Sequence, residues 1–110
     1  MTLVYKIMTA EEWRSALGKG RFEGSAVDLA DGYIHLSTAE QAQETAAKHF
    51  HSRADLVLVA LDVDALSPIK WEPSRGGALF PHLYGPLDTA LALTVKTLPL
   101  GPDGAPETGL

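Results

Sequence analysis

The chain has 110 residues, 45% of them apolar and 21% charged, a formal charge of −5 and no cysteine. That length suits one domain with a single core, and the lack of cysteine excludes a disulfide framework, a thiolate metal site and thiol catalysis. The acidic balance, with no run of Lys or Arg, argues against a phosphate-backbone footprint, and no apolar run nears the roughly 20 residues of a membrane helix. The N-terminus, Met1-Thr2-Leu3-Val4-Tyr5-Lys6, lacks the pattern of a signal peptide. A cytoplasmic protein with neither nucleic-acid nor membrane partners is expected.

Residues 3–8 are short and β-rich and predict the first strand. Thr9-Ala10-Glu11-Glu12 has the spacing of a capping box, so a helix should start there and stop at Gly18, with Trp13, Ala16 and Leu17 as its buried stripe. Residues 22–29 read as a loop with at most a short strand. Tyr33-Ile34-His35-Leu36 predicts a second strand, entered through an Asp31-Gly32 turn. Both Ser37…Glu40 and Thr38…Gln41 match a capping box, so a second helix should run to about residue 50. Its face of Ala42, Ala46, His49 and Phe50 is weakly apolar and would pack through small side chains.

Residues 56–61, Leu-Val-Leu-Val-Ala-Leu, form a continuous apolar run that predicts a central strand covered on both faces. A turn of 3₁₀ helix is expected over 62–66, a short strand over 69–72 and a flexible loop over 74–77. Residues 90–98 alternate and read as a strand with Leu91, Leu93 and Val95 on one face. The domain is taken as residues 1–98. Residues 99–110, rich in Pro and Gly, are expected to form a flexible tail. Helices come early and strands late, which predicts an α+β fold with a small mixed or antiparallel sheet and two helices.

The candidates for chemistry are His35, Ser37, Thr38, Glu72, Arg75, His82 and Tyr84. Ser37 and Thr38 stand where a strand runs into a helix N-terminus, a place that suits capping or anion binding. His35 alternates with Ile34 and Leu36 and so points away from their apolar face. It is either a hydrogen-bonded structural histidine or a ligand contact or general acid/base. His82 lies between Pro81 and Pro86, whose restricted backbone pre-organises the loop. Gly76-Gly77 lacks the strand–helix context of a dinucleotide fingerprint. His49 and His51 do not share a helix face, and no metal is expected.

The stretches Tyr5-Lys6-Ile7, Asp31-Gly32-Tyr33-Ile34-His35-Leu36-Ser37-Thr38-Ala39-Glu40-Gln41, Trp71-Glu72 and Phe80-Pro81-His82-Leu83-Tyr84-Gly85-Pro86-Leu87 together resemble the family called domain of unknown function 952 over about residues 3–98. The resemblance implies a compact relative of the ADP-ribosyltransferase fold, the architecture of enzymes that use NAD. It implies that Lys6 stands at an early-strand position where members commonly carry His. His35 and Ser37, then His82 and Tyr84, would line one cleft, and Glu72 would be the acid. On that basis His35, Glu72 and His82 are catalytic candidates. Lys6, Ser37, Thr38, Arg75 and Tyr84 are binding candidates, and NAD is the implied cofactor.

Three readings follow. The chain binds NAD or an ADP-ribose-like nucleotide as an intact or degenerate enzyme. Alternatively it is a non-catalytic module for a small anion or a protein. In the third reading both histidine motifs are packing devices. The first requires the two histidines to share one cleft.

Overall fold

The computed structural model describes residues 1–74 and 77–110. β1 (Leu3–Thr9) leads directly into α1 (Ala10–Lys19) through the expected capping box. Thr9 Oγ1 accepts from the Glu12 amide at 3.0 Å, and Glu12 Oε1 accepts from the Thr9 amide at 2.8 Å. The helix runs through Gly18 and ends at Gly20, whose φ of 80° is the left-handed conformation that stops a helix. Trp13 and Ala16 are buried as expected, whereas Leu17 faces solvent.

β2 (Arg21–Phe22) precedes a helix, α2 (Ala26–Asp31), where the sequence predicts a loop. Ser25 caps it, with Asp28 as the reciprocal partner, and Gly32 (φ 88°) ends it. Asp31-Gly32 is thus a helix stop. The helix is barely longer than one turn, and Val27 and Leu29 are exposed, so no apolar periodicity marks it.

β3 (Ile34–His35) and β4 (Ser37–Thr38) flank Leu36, and α3 (Ala39–His49) follows. Thr38 and Gln41 form the capping box; the Ser37–Glu40 alternative is not used. Ala42 and Ala46 are fully buried, while His49 is exposed. The remaining strands are β5 (Leu56–Asp62), β6 (Ile69–Pro73), β7 (Leu79–Leu83), β8 (Leu87–Asp88) and β9 (Thr94–Thr97), with a 3₁₀ turn at Val63–Ala65.

The strands form a four-stranded sheet in the order β4-β1-β5-β9, a three-stranded sheet β3-β7-β6 and a ribbon β2-β8. Every pairing among the described residues is antiparallel. The α+β expectation holds, but with three helices rather than two and with the sheet divided. The chain passes between the two larger sheets at Leu36.

β5 explains its own apolar run. Val57, Val59 and Leu61 face one cluster with Val4, Met8, Trp13, Ile34, Leu36 and Leu83. Leu56, Leu58 and Ala60 face another with Tyr5, Ile7, Ala46 and Leu98. Each fully buried Leu or Val of this strand contributes about 1.5–3 kcal/mol.

The expected strand over 90–98 is shorter, Thr94–Thr97, and both of its faces are exposed. Thr89–Leu91 is a 3₁₀ turn, Leu93 and Val95 are exposed, and Leu98 is buried. β9 pairs only with β5, so its alternation does not mark a covered face. Residues 99–110, expected to be a flexible tail, fold back on α3. Gln43 Oε1 accepts from the Thr108 amide (3.0 Å) and hydroxyl (3.1 Å), and Gln43 Nε2 donates to the Pro106 carbonyl at 2.9 Å. The Pro and Gly residues build a tight reversal here, with Leu100 bridged to Pro106 and Thr108 buried. No helix among the described residues is long and apolar enough to cross a membrane.

Gln43→Ala removes three hydrogen bonds to this segment. It should cost about 1–3 kcal/mol in urea unfolding and speed hydrogen exchange at the Thr108 amide. Exchange at parental rates would show that the segment is held by other contacts.

Candidate functional site

Strand alternation assembles the site. Ile34 and Leu83 point into the core and are register partners, as are His35 and His82. The two histidines therefore stand opposite each other on the other face, with ring centroids 5.5 Å apart. On β6, Lys70 is opposite His82, and Glu72 is two residues farther along on the same face.

Glu72 Oε1 accepts from His82 Nδ1 at 2.7 Å and from the Tyr84 hydroxyl at 2.6 Å. The tyrosine hydrogen bond, followed by that from His82, holds the Glu72 carboxyl below its ordinary range, and the same carboxylate pushes the Tyr84 hydroxyl up to about 12. Tyr33 stacks on His82 at 4.0 Å and lies against Tyr84 at 5.2 Å and His35 at 4.6 Å. With Nδ1 bound to a carboxylate, the free nitrogen of His82 is Nε2. No fully buried polar side-chain atom among the described residues lacks a partner, and His82 is 3% exposed.

The other half of the site hangs on Lys6. It shares a strand face with Val4 and Met8, among core residues, and an ammonium there needs a counter-charge. Asp28 supplies it. Nζ lies 2.8 Å from Oδ2, with both side chains sealed from solvent, and Nζ also donates to the His35 carbonyl at 3.1 Å. Burial pushes the Lys6 ammonium down against the pull of Asp28. For Asp28, burial works upward, but the hydrogen bond from His35 and the charge and hydrogen bond of Lys6 outweigh it and hold the carboxyl well below the usual range. Asp28 also accepts from the amides of Ser25 and His35. One carboxylate thus fixes β1, α2 and β3 together. His35 Nδ1 lies 2.6 Å from Asp28 Oδ1, and its Nε2 lies 2.9 Å from Asp31 Oδ2.

β4 pairs with β1 only at Val4 and Tyr5. Beyond that point a cleft of about 600 Å³ opens along β1, bounded by α2, the C-terminal half of α3 and β7. That volume lies within the range of small-molecule sites. Lys6, Asp31, His35, Ser37, Arg53, Ser74 and His82 line it, with Ile7, Val27, Phe50 and Phe80 as apolar wall.

Of the residues singled out from sequence, His35, His82, Ser37 and Lys6 reach this cleft. Ser37 is hydrogen-bonded to Thr45 at 3.1 Å, and Lys6 is committed to Asp28. Thr38 is the helix cap, while Glu72 and Tyr84 lie behind His82 rather than in the lining. Arg75 falls outside the described residues. Asp28, Asp31, Tyr33 and Arg53 were not anticipated as site residues. The Ser25-x-x-Asp28 spacing marks a capping box and would have flagged Asp28; nothing local marks Arg53. No group of three or more His, Asp or Glu among the described residues could hold a metal ion.

Two outcomes follow from the buried pair. Lys6→Met leaves Asp28 buried with one charge partner fewer and should lower unfolding free energy by about 3–5 kcal/mol, read by urea titration. Acid should act on the same carboxyl. Asp28 is depressed in the folded state, so the unfolded chain takes up the proton first as pH falls. Its contribution is full above about pH 4 and declines below it. Urea midpoints that stay level between about pH 4 and 2 would contradict this.

Two solved structures similar to this chain have descriptions that name no activity. A crystal structure of protein CC0527 from Caulobacter crescentus is 57% identical, covering 98% of this chain and 96% of that one, with a TM-score of 0.95. The solution NMR structure of the same protein is 57% identical over 99% of this chain and 95% of that one, with a TM-score of 0.89. No curated protein matches the chain. The family described as protein of unknown function (DUF952) matches residues 7–95, and the chain belongs to that family.

Proposed function

We propose that the cleft along β1 binds a nucleotide of the NAD or ADP-ribose kind, in a fold related to the ADP-ribosyltransferases whose catalytic apparatus is degenerate. The observation that carries the reading is the His35–His82 register pair, which brings both histidine motifs to one cleft of about 600 Å³. His82 and the Ser37 hydroxyl suit sugar hydroxyls, the apolar wall suits a base, and Arg53, paired with the exposed Asp55 at 3.4 Å, suits a phosphate. His82 presents Nε2, and Glu72 fixes the ring that carries it.

A specific observation favours the non-catalytic form. The ribosyl cation of a transferase reaction needs a carboxylate beside it. Glu72, the acid the resemblance implies, is engaged by His82 and Tyr84 and is not in the cleft lining; the carboxylates that are, Glu12 and Asp31, are engaged by the Thr9 amide and by His35. Lys6 is likewise committed. On this reading the protein recognises a nucleotide or another small anion without consuming it.

Backbone amide shifts of isotope-labelled protein titrated with millimolar NAD, then ADP-ribose, test this. Shifts gathered at Val27, Ser37, Arg53 and His82 are expected, with His82→Ala weakening them at least tenfold. No shifts with either compound would overturn the nucleotide reading. Nicotinamide release that is lost in Glu72→Gln would replace the non-catalytic form with an enzyme.

A further inference from the structure

We propose that His35 Nε2 is a subsite for one oxyanion of a ligand, a phosphate or a carboxylate, and that Asp31 is the internal anion the ligand displaces. This rests on the reading of the β1 cleft as a ligand site and names the chemistry of one end of it.

Lys6 and Asp28 neutralise each other, and both are sealed from solvent. His35 is the third member, with Nδ1 held by Asp28 at 2.6 Å. Its Nε2 faces a second carboxylate oxygen at 2.9 Å. Carboxylates only accept, so both contacts are hydrogen bonds when each ring nitrogen carries a proton. Lys6, Asp28 and His35 then sum to one positive charge, presented to the cleft at one N–H. Asp31 balances it.

Asp28 and Asp31 differ in how firmly they are held. Asp28 is 1% exposed and bonded to Lys6, His35 and two backbone amides, so it cannot leave without unmaking the fold there. Asp31 is the last residue of α2, its side chain is 48% exposed, and its ion pair with His35 is the one polar side-chain contact it makes among the described residues. A solvent-exposed pair of this kind contributes little, so an incoming oxyanion exchanges with it at little cost. Asp31 then sets affinity and selectivity. It holds the ring ready, keeps the N–H paired, and repels any anion that does not take its place.

The test compares the parent with Asp31→Asn, using Asp64→Asn, an exposed acid after β5, as a control for overall charge. Inorganic phosphate, acetate and ADP-ribose are titrated, and the imidazole ¹⁵N signals of His35 are followed beside the amide spectrum, which also reports that each variant is folded. Phosphate and ADP-ribose should move the His35 Nε2 signal. Their affinities should rise up to about fivefold in Asp31→Asn, the equivalent of removing a competing exposed ion pair, and stay level in Asp64→Asn. A response to acetate equal to that for phosphate would extend the supported subsite to carboxylates. Equal gains in both variants, or weaker binding in Asp31→Asn, would overturn the proposal. ADP-ribose binding that leaves His35 Nε2 unmoved would overturn the subsite and keep the nucleotide reading. Phosphate binding at Nε2 without NAD or ADP-ribose binding would keep the subsite and overturn the nucleotide reading.

Discussion

The ammonium of Lys6 lies on the core-facing side of a central strand, and most of the architecture around the cleft answers that fact. A charge at that depth is tolerable only with a partner sealed in beside it. Asp28 is that partner. To reach Lys6 it must sit on a segment packed over β1, and α2 is that segment. The same carboxylate caps α2, binds the His35 amide and bonds the His35 ring. Removing α2 would therefore strip β3 of its anchor as well as Lys6 of its counter-charge. The polar cluster ties α2, whose Val27 and Leu29 are exposed, to two strands whose Val4, Met8 and Ile34 share one apolar cluster.

The second organising feature is the break between sheets at Leu36. β3 and β4 are consecutive in the chain but belong to different sheets. Because β4 covers only the first part of β1, a stretch of strand edge is left beside the cleft. β3 carries His35 to the mouth of that cleft, and its register with β7 brings His82 alongside. Each histidine is held from behind by a carboxylate, Asp28 for one and Glu72 for the other. The rings are thus pre-oriented by buried or half-buried partners, which lowers the ordering cost of recognising a ligand. Glu72 and Tyr84 act through His82, and this division separates residues that face the cleft from those that support it.

Much of the fold was legible because it obeys local rules. The Thr9 and Thr38 capping boxes, the two-faced apolar run of β5 and the alternation around His35 each depend on residues close in sequence, whereas the segment around His82, expected as a loop between Pro81 and Pro86, is strand β7. The errors share a cause as well. α2 is too short and too exposed to show a helical period, and β9 alternates without a covered face. The C-terminal Pro and Gly residues look like a tail until Gln43, more than 60 residues away, supplies their hydrogen bonds. Composition cannot reveal a distant partner.

By itself the sequence determined the α+β class, the strand position of His35 and the membership of the family, since period, capping and motif spacing are properties of neighbouring residues. Tertiary structure alone decided that His35 and His82 are register partners and that Lys6 is neutralised by Asp28. It also decided that Glu72 stands behind His82 rather than in the cleft. The physical reason is the same in each case. Strand register and the pairing of buried charges are settled by contacts between segments that fold together from far apart in the chain, and no local pattern encodes which partner each will meet.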